Sequence, residues 1–211
     1  MTQGSRVHGL YAITDPCAGQ GQALLNNVHA ALQGGARVLQ YRDKSEDRHR
    51  RSSEAEALRA LCADHGALFI INDDIELAHQ VKADGVHLGQ DDADYDTART
   101  RLGPDAIIGI SCYNRLPAAQ QAVARGADYV AFGRFFASAS KPEAVQADTD
   151  LVIQARARLS VPIVAIGGIT PENGGLLIER GADALAVIRG VFGADDIEKT
   201  ARRFASLFDE S

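Results

Sequence analysis

Cysteines are few in this chain of 211 residues, and long hydrophobic runs are missing. Cys17, Cys62 and Cys112 show no paired spacing, which argues against a disulfide framework and against a structural zinc site. Apolar runs such as 161–169 fall well short of the ~20 residues that cross a bilayer, and the first residues lack the apolar segment of a signal peptide. We therefore expect a cytoplasmic protein with reduced thiols and no membrane contact.

A surplus of positive charge is also missing. The chain has 22 Lys and Arg residues against 28 Asp and Glu residues, a net charge of −6, so no nucleic acid partner is expected. With 45% hydrophobic residues, the chain is long enough for one well-buried core, and we expect a single domain over 1–211. If the ligand is an anion, the positive charge that binds it must come from a few Lys and Arg residues close to the site. A homo-oligomer stays open.

Short apolar runs alternate with helical patterns along the whole chain. β-branched and aromatic runs bounded by turn residues are typical of strands, and apolar spacing of three to four residues is typical of helices. The predicted strands are 9–16, 36–44, 68–73, 85–90, 106–111, 128–134, 162–168 and 184–190. The predicted helices lie near 22–32, 45–65, 76–80, 95–102, 117–125, 150–159, 170–180 and 195–208.

This alternation predicts an α/β protein with a parallel sheet covered on both faces. Eight strand–helix units in succession are what a (β/α)8 TIM barrel requires, and an open doubly wound sheet is the alternative fold. Gly-Ala-X triplets at 35–37, 126–128 and 181–183 mark helix-to-strand turns at a regular place in the unit. In either fold, ligands bind beyond the carboxyl ends of the strands.

Two of the predicted neighbouring strands end in carboxylates. Asp73 follows the third strand and Asp92 follows the fourth, so the two would emerge side by side. Paired carboxylates repel unless a proton or cation lies between them, and oxygen ligands suit Mg²⁺. Asp73 and Asp92 are the predicted metal ligands, whereas Asp74 and Asp91 are interpreted as turn or helix N-terminal residues.

Polar side chains alternate along the second predicted strand. Gln40, Arg42 and Lys44 would share one face, because side chains repeat every two residues in a strand. Buried cations are costly unless an anion completes the neutralisation, and a phosphate or pyrophosphate bridging Arg42, Lys44 and Mg²⁺ would do so. The alternative is an internal layer of salt bridges to Asp73 and Asp92.

A second anion site is predicted after the last two strands. Gly167 and Gly168 precede Thr170, a predicted N-cap, with Pro171 at the first helical position. Backbone N–H groups there, together with Arg189 after the eighth strand, match the place where many barrels bind phosphate. A tight turn that needs glycine is the alternative.

The loop over 135–149 is longer than most loops in such units. It is either a lid, with Ser138, Ser140 and Lys141 closing over an anion, or a mobile surface loop. His87 is interpreted as either a hydrogen-bonded residue of the barrel interior or a catalytic group. Cys112 should point away from Ser111, and no nucleophilic arrangement is recognisable.

These motifs together resemble the thiamine phosphate synthase family, whose members are (β/α)8 enzymes. The resemblance covers nearly the whole chain, and its most specific pieces are VLQYRDK, FIINDD, ADGVHLGQDD, IIGIS, DYVAFGRFF with a following SK, and PIVAIGGIT. It implies a Mg²⁺-dependent transferase. Such an enzyme couples 4-amino-2-methyl-5-(diphosphomethyl)pyrimidine to hydroxyethylthiazole phosphate, giving thiamine phosphate and pyrophosphate.

The resemblance also implies roles for individual residues. The expected catalytic residues are Arg42, Lys44, Ser111 and Lys141. The pyrimidine diphosphate would be bound by Gln40, Arg42, Lys44 and Asn72, and Mg²⁺ by Asp73 and Asp92. Pyrophosphate would contact Ser111 and Lys141, and the thiazole partner would contact Ser138, Ser140, Gly168, Ile188 and Arg189.

Some positions depart from the commonest family pattern. Arg134 stands where Pro is frequent, Ser138 and Ser140 where Thr is frequent, and Arg189 where Ser is frequent. The added arginines suit phosphates. Two other functions stay open: a thiazole tautomerase of the same fold, which would not need the complete pyrophosphate set, and a non-catalytic phosphate-binding barrel.

Overall fold

Eight parallel strands close into a barrel in the computed structural model, which describes residues 6–89, 95–137 and 147–209. Each strand pairs with its neighbour in sequence, and the last pairs with the first, from Gly9 beside Ala184 to Ala12 beside Val187. The (β/α)8 prediction is confirmed, and the open sheet is excluded. The strands are β1 Gly9–Ile13, β2 Val38–Tyr41, β3 Leu68–Asn72, β4 Gly85–Leu88, β5 Ile107–Tyr113, β6 Tyr129–Gly133, β7 Ile163–Ile166 and β8 Ala184–Val187.

Helices follow the strands around the outside of the barrel. They are α1 Gly21–Gln33, α2 Arg48–Asp64, α3 Ile75–Gln80, α4 Tyr95–Leu102, α5 Leu116–Ala124, α6 Asp150–Arg156, α7 Gly174–Glu179, α8 Arg189–Phe192 and α9 Ile197–Ser206. A short 3-10 helix, Pro16–Ala18, precedes α1. Within the described ranges, no helix has the length and apolarity needed to cross a membrane.

Three predicted boundaries that bear on the site were wrong. β2 ends at Tyr41 instead of continuing to residue 44, and β8 ends at Val187, so that Arg189 begins the unpredicted α8. Helix α7 begins at Gly174 and not near Thr170, because the Asn173 side chain accepts the Thr170 N–H at 2.8 Å and donates to the Gly168 carbonyl at 3.1 Å. These bonds hold the segment before the helix in a turn.

The core has two layers. Inward-facing side chains of alternating strand positions, including Tyr11, Ile70, Tyr129 and Val164, fill the barrel, and a larger apolar layer lies between the barrel and its helices. Gly109 makes room inside, since a Cβ there would lie 1.9 Å from the Tyr129 ring. A filled interior confines ligand binding to the ends of the barrel.

At the end of the barrel where the strands begin, one combination of a hydrogen bond and an ion pair occurs three times, and we call it an ionic clamp. An aspartate lies immediately before three of the even-numbered strands, and it accepts the N–H of a residue at or next to the start of the preceding strand. The same aspartate forms an ion pair with an arginine of a preceding helix. The clamps are Asp84 with Phe69 N–H and Arg59, Asp128 with Ile108 N–H and Arg99, and Asp183 with Ile163 N–H and Arg156. The Gly-Ala-X turns predicted from sequence carry two of these aspartates.

Candidate active site

Strands β3 and β4 bring the predicted metal ligand Asp73 to the mouth of the barrel. They pair in parallel, with Asn72 beside His87, and the Asp73 N–H donates to the His87 carbonyl at 2.9 Å. Asp73 is exposed and has φ of 61°, a left-handed conformation that is uncommon outside glycine. Its carboxylate accepts a 2.6 Å hydrogen bond from the Asn72 amide. The carboxylate therefore lies at the mouth beside an amide.

The neighbouring Asp74 has a different task. Its Oδ1 accepts the Leu77 N–H at 2.9 Å, which caps α3, and its Oδ2 lies 2.7 Å from the Arg51 guanidinium. The prediction that Asp74 is a helix N-terminal residue is confirmed. Asp91 and Asp92 lie outside the described residues, so the pairing of Asp73 with Asp92 stays a prediction.

The predicted phosphate-binding cations Arg42 and Lys44 lie on the loop after β2. Because β2 ends at Tyr41, strand alternation applies to Gln40 but does not extend to these two residues. The Thr14 hydroxyl accepts the Arg42 N–H at 2.8 Å, which takes that group out of the strand ladder. Thr14 is buried, at 2% exposure, and it fixes the Arg42 backbone to the end of β1.

Residues of helix α2 form an ion pair and a hydrogen bond with this loop and with the end of β2. Asp43 lies 2.8 Å from Arg50, and the Tyr41 hydroxyl donates to Glu54 at 2.6 Å. Glu54 is 5% exposed and also accepts the Gly21 N–H at 2.7 Å. Tyr41 and Asp43 therefore both face α2 on the outside of the barrel.

A cavity of about 310 Å³ opens between the loops after β1 and β2. Arg42 and Lys44 line it together with Thr14, Asp15, Tyr41, Asp43 and Glu54. Between the described residues Arg42, Lys44 and Asp73 no ion pair forms, so the described part of the proposed internal salt-bridge layer is not present. The guanidinium and ammonium groups can therefore meet an anion arriving at the mouth.

A hydrogen-bonded chain crosses the barrel interior beneath the mouth. The Gln40 amide donates to the Tyr11 hydroxyl at 2.8 Å, and that hydroxyl lies 2.8 Å from the Tyr129 hydroxyl. Tyr129 reaches His87 Nδ1 at 2.9 Å, and His87 Nε2 lies 2.9 Å from the Ser111 hydroxyl. The chain links two predicted substrate-binding residues, Gln40 and Ser111.

His87 is thus a hydrogen-bonded residue of the barrel interior, one of the two roles considered for it. Burial lowers its pKa from 6.5 to about 4, so the ring is neutral near pH 7. Its ring stacks on Tyr129, with centroids 5.6 Å apart.

Strand β5 turns Ser111 toward His87 and Cys112 away from it. Cys112 is fully buried, and burial raises the pKa of its thiol to about 12. The pairing with β6 shifts between Ser111 and Tyr113, and Tyr113 is half-exposed with φ of 51°. Cys112 is therefore an inert core residue, as its place after Ser111 suggested.

The predicted second anion site lies where β7, β8 and β1 end. Gly168 has φ of 67°, and its N–H donates to no acceptor in the described part of the chain. The Arg189 guanidinium is half-exposed, and its Nε lies 3.6 Å from Asp15 Oδ2. Ile188 directly precedes the short helix α8. Thr170 and Pro171 belong to the turn before α7, so their predicted roles as N-cap and first helical residue were wrong.

Part of the predicted lid lies outside the described residues. This part includes Ser138, Ser140 and Lys141, so their predicted contacts with substrates stay predictions. The described beginning of the loop packs against Gly168, where a Cβ would lie 2.4 Å from the Ala137 carbonyl oxygen.

Residues that support the site were missed from the sequence. Tyr11 and Tyr129 lie in predicted strands and Glu54 lies in a predicted helix, but no role in the site was predicted for any of the three. The alternation of β1 does place Tyr11 on the same face as the inward Ile13, and a hydroxyl on an inward face needs a partner when buried. That signal could have found Tyr11, whereas nothing in the sequence pattern marks Glu54.

Comparisons with known proteins identify the family of the chain. The family model described as thiamine monophosphate synthase matches residues 10–191, most of the chain. The chain belongs to the thiamine monophosphate synthase family. It is 53% identical over 206 residues to a thiamine-phosphate synthase of Acidithiobacillus ferrooxidans, with 96% of this chain and 95% of that protein covered.

Two further relatives support membership of the family. A thiamine-phosphate synthase of Thioalkalivibrio sulfidiphilus is 52% identical over 210 residues, covering 99% of this chain and 100% of that one. The solved structure of thiamine phosphate pyrophosphorylase from Pyrococcus furiosus has a TM-score of 0.88 at 32% identity, and 97% of each chain is covered. As a member of the thiamine monophosphate synthase family, the chain is an enzyme of thiamine biosynthesis and a transferase.

Proposed function

We propose that the protein couples 4-amino-2-methyl-5-(diphosphomethyl)pyrimidine with hydroxyethylthiazole phosphate in a Mg²⁺-dependent reaction that yields thiamine phosphate and pyrophosphate. The observation that carries the proposal is the fixed loop after β2. It presents Arg42 and Lys44 at the mouth with no carboxylate partner among the described residues. Two cations that form no ion pair among the described residues suit a diphosphate, because arginine supplies a bidentate fork and lysine a point charge.

The reaction needs a good leaving group more than a protein nucleophile. As the carbon–oxygen bond to the diphosphate breaks, negative charge grows on the leaving oxygens, and Arg42 and Lys44 stabilise that charge. The amino-substituted pyrimidine ring stabilises the positive charge left on its methylene carbon. The thiazole nitrogen then forms the new bond to that carbon, and the two bound substrates react as neighbours.

The donors described at the mouth fit a hard cation. Asp73 offers exposed carboxylate oxygens, and the adjacent Asn72 amide holds one of them in place. Such oxygens suit Mg²⁺, with Asp92 expected as the second ligand. When bound, Mg²⁺ would supply Lewis-acid stabilisation of the diphosphate charge.

The thiazole phosphate is assigned to the corner formed by the ends of β7 and β8. The Gly168 N–H and the Arg189 guanidinium can donate to phosphate oxygens there, next to Ile188. Ser138, Ser140 and Lys141 would close over the two substrates as a lid. The expected result of closure is exclusion of water from the reactive cation.

The purified protein should be incubated with each substrate singly and with both, in the presence of Mg²⁺ or of EDTA, and thiamine phosphate should be quantified chromatographically. Product is expected only with both substrates and Mg²⁺. An absence of product in the complete mixture would reject the proposal. Product in EDTA equal to that in Mg²⁺ would reject the metal requirement alone.

A further inference from the structure

The hydrogen-bonded chain across the barrel interior has a limited supply of hydrogens. Three bonds follow the Gln40 amide: Tyr11 to Tyr129, Tyr129 to His87, and His87 to Ser111. Each tyrosine hydroxyl has one hydrogen. Neutral imidazole also has one, on either Nδ1 or Nε2.

Gln40 determines in which direction the hydrogen bonds are donated along this hydrogen-bonded chain. Its amide nitrogen donates to the Tyr11 oxygen, so the Tyr11 hydrogen must point elsewhere, and among the described residues the other hydrogen-bond partner of that hydroxyl is Tyr129. Tyr11 is 1% exposed, and a buried hydrogen left without an acceptor costs free energy. Tyr11 therefore donates to Tyr129, and Tyr129 in turn donates to His87 Nδ1.

This direction determines the far end of the chain. With Nδ1 accepting, the imidazole hydrogen is on Nε2 and is donated to the Ser111 oxygen. The hydrogen of the Ser111 hydroxyl is then not used within the chain. In the opposite direction, Ser111 would donate to His87, and the Tyr11 hydrogen would be left buried without an acceptor.

We propose that Tyr11 and Tyr129 are positioning residues that hold His87 as the Nε2–H tautomer, and that His87, positioned in this way, turns the Ser111 hydroxyl into a donor toward an oxygen of the bound diphosphate. The proposal rests on the proposed function for the nature of the ligand. It adds the reason why a serine at this position donates: the proton order set by Gln40 on the opposite side of the barrel leaves its hydrogen free. His87 acts through Ser111 and not on the substrate.

The tautomer can be measured without any substrate. Long-range proton–nitrogen NMR of protein with ¹⁵N-labelled histidine distinguishes protonated from unprotonated ring nitrogens, and the His87→Gln variant identifies which of the six histidine signal sets belongs to His87. A single Nε2–H tautomer is expected in the wild type. An Nδ1–H tautomer, or a mixture of the two, would overturn the proposal.

Binding of inorganic pyrophosphate with Mg²⁺, measured by titration calorimetry, tests the consequence for Ser111. Ser111→Ala should weaken binding by about 10- to 100-fold, the usual effect of losing a hydrogen bond to a charged group. Tyr129→Phe keeps Ser111 but cuts the chain, so we expect binding weaker by about 3- to 10-fold and a mixture of His87 tautomers. Wild-type binding in either variant would overturn the proposal.

Tyr95→Phe is the matched control, because the Tyr95 hydroxyl donates to the Gly126 carbonyl at 2.6 Å and is not part of the hydrogen-bonded chain through the barrel interior. It should retain wild-type pyrophosphate binding and the Nε2–H tautomer. A loss of binding in Tyr95→Phe as large as in Tyr129→Phe would mean a general packing effect and would also overturn the proposal. If these results hold but no thiamine phosphate is formed, the proposed function fails and the proton order stands.

Discussion

The hydroxyl of Tyr41 lies 2.6 Å from the carboxylate of Glu54, and this hydrogen bond joins the last residue of β2 to α2. The same carboxylate lies 3.3 Å from Arg50, which in turn reaches Asp43 at 2.8 Å. Tyr41 and Asp43 flank Arg42. A buried carboxylate on the outer helix therefore supports the loop that presents the phosphate-binding cations.

Replacing Glu54 with alanine should destabilise the protein by about 3 kcal/mol, because Arg50 and the Tyr41 hydroxyl lose a buried charged partner. Urea unfolding measures the change. Glu56→Ala on the exposed side of the same helix is the control and should stay within about 0.5 kcal/mol of the wild type. Equal stability of the two variants would show that the Glu54 contacts contribute nothing.

The clamp at Asp128 gives a second prediction of stability. Its Oδ2 accepts the Ile108 N–H at 2.9 Å and lies 2.7 Å from Arg99, so Asp128→Ala should cost about 2 kcal/mol. Asp96 pairs with Arg125 at 3.4 Å on the surface, and Asp96→Ala should cost less than about 1 kcal/mol. Thermal unfolding of both variants checks the order, and a larger loss from Asp96→Ala would contradict it.

The number and order of the strand–helix units could be predicted from local patterns. Each strand is an apolar run, and the turns before β2, β6 and β8 repeat Gly-Ala-X, so periodicity and turn chemistry agree. Boundaries that depend on distant partners could not be predicted. β2 stops where the Arg42 N–H finds the Thr14 hydroxyl, 28 residues earlier, and α7 starts late because of the Asn173 side chain.

The same limit applies to the site. Asp73 and Asp74 are equally acidic neighbours, and only Asp74 was interpreted from the sequence as a turn or helix N-terminal residue, which agrees with its cap of α3. The interior chain could not be predicted, because its tyrosines lie 118 residues apart and meet only when the barrel closes. Glu54 looks like any acidic residue of a polar helix until Tyr41 and Gly21 are placed beside it.

Acid should destabilise the fold through His87. Its pKa is about 4 when folded and 6.5 ordinarily, so the unfolded chain takes up a proton between these values while the folded chain does not. The stability contributed by the neutral ring is therefore fully present above pH 6.5 and decreases as pH falls toward 4, by at most about 3 kcal/mol.

Urea unfolding of the wild type and of His87→Gln between about pH 7 and pH 4 tests this dependence. The free energy of unfolding of the wild type should fall more steeply with decreasing pH than that of the variant. Parallel curves for the two proteins would show that His87 is not the group responsible.

Asp73→Asn should lower kcat by roughly 100-fold, because the amide cannot replace a charged ligand of Mg²⁺. Asparagine tolerates the positive φ at this position, so the fold should be retained. Asp74→Asn is the matched control: it weakens the cap of α3 and the ion pair with Arg51, and it should lower stability more than kcat. Steady-state kinetics that show wild-type turnover in Asp73→Asn would refute the assignment.

The proposed reaction joins two substrates by displacing pyrophosphate. Its most direct test is the simultaneous measurement of pyrophosphate and thiamine phosphate formed by the purified protein in the presence of Mg²⁺. We predict that the two appear in a ratio of about one to one, and only when both substrates are present. Pyrophosphate released at the same rate without the thiazole phosphate, or no thiamine phosphate with both substrates present, would contradict the claim.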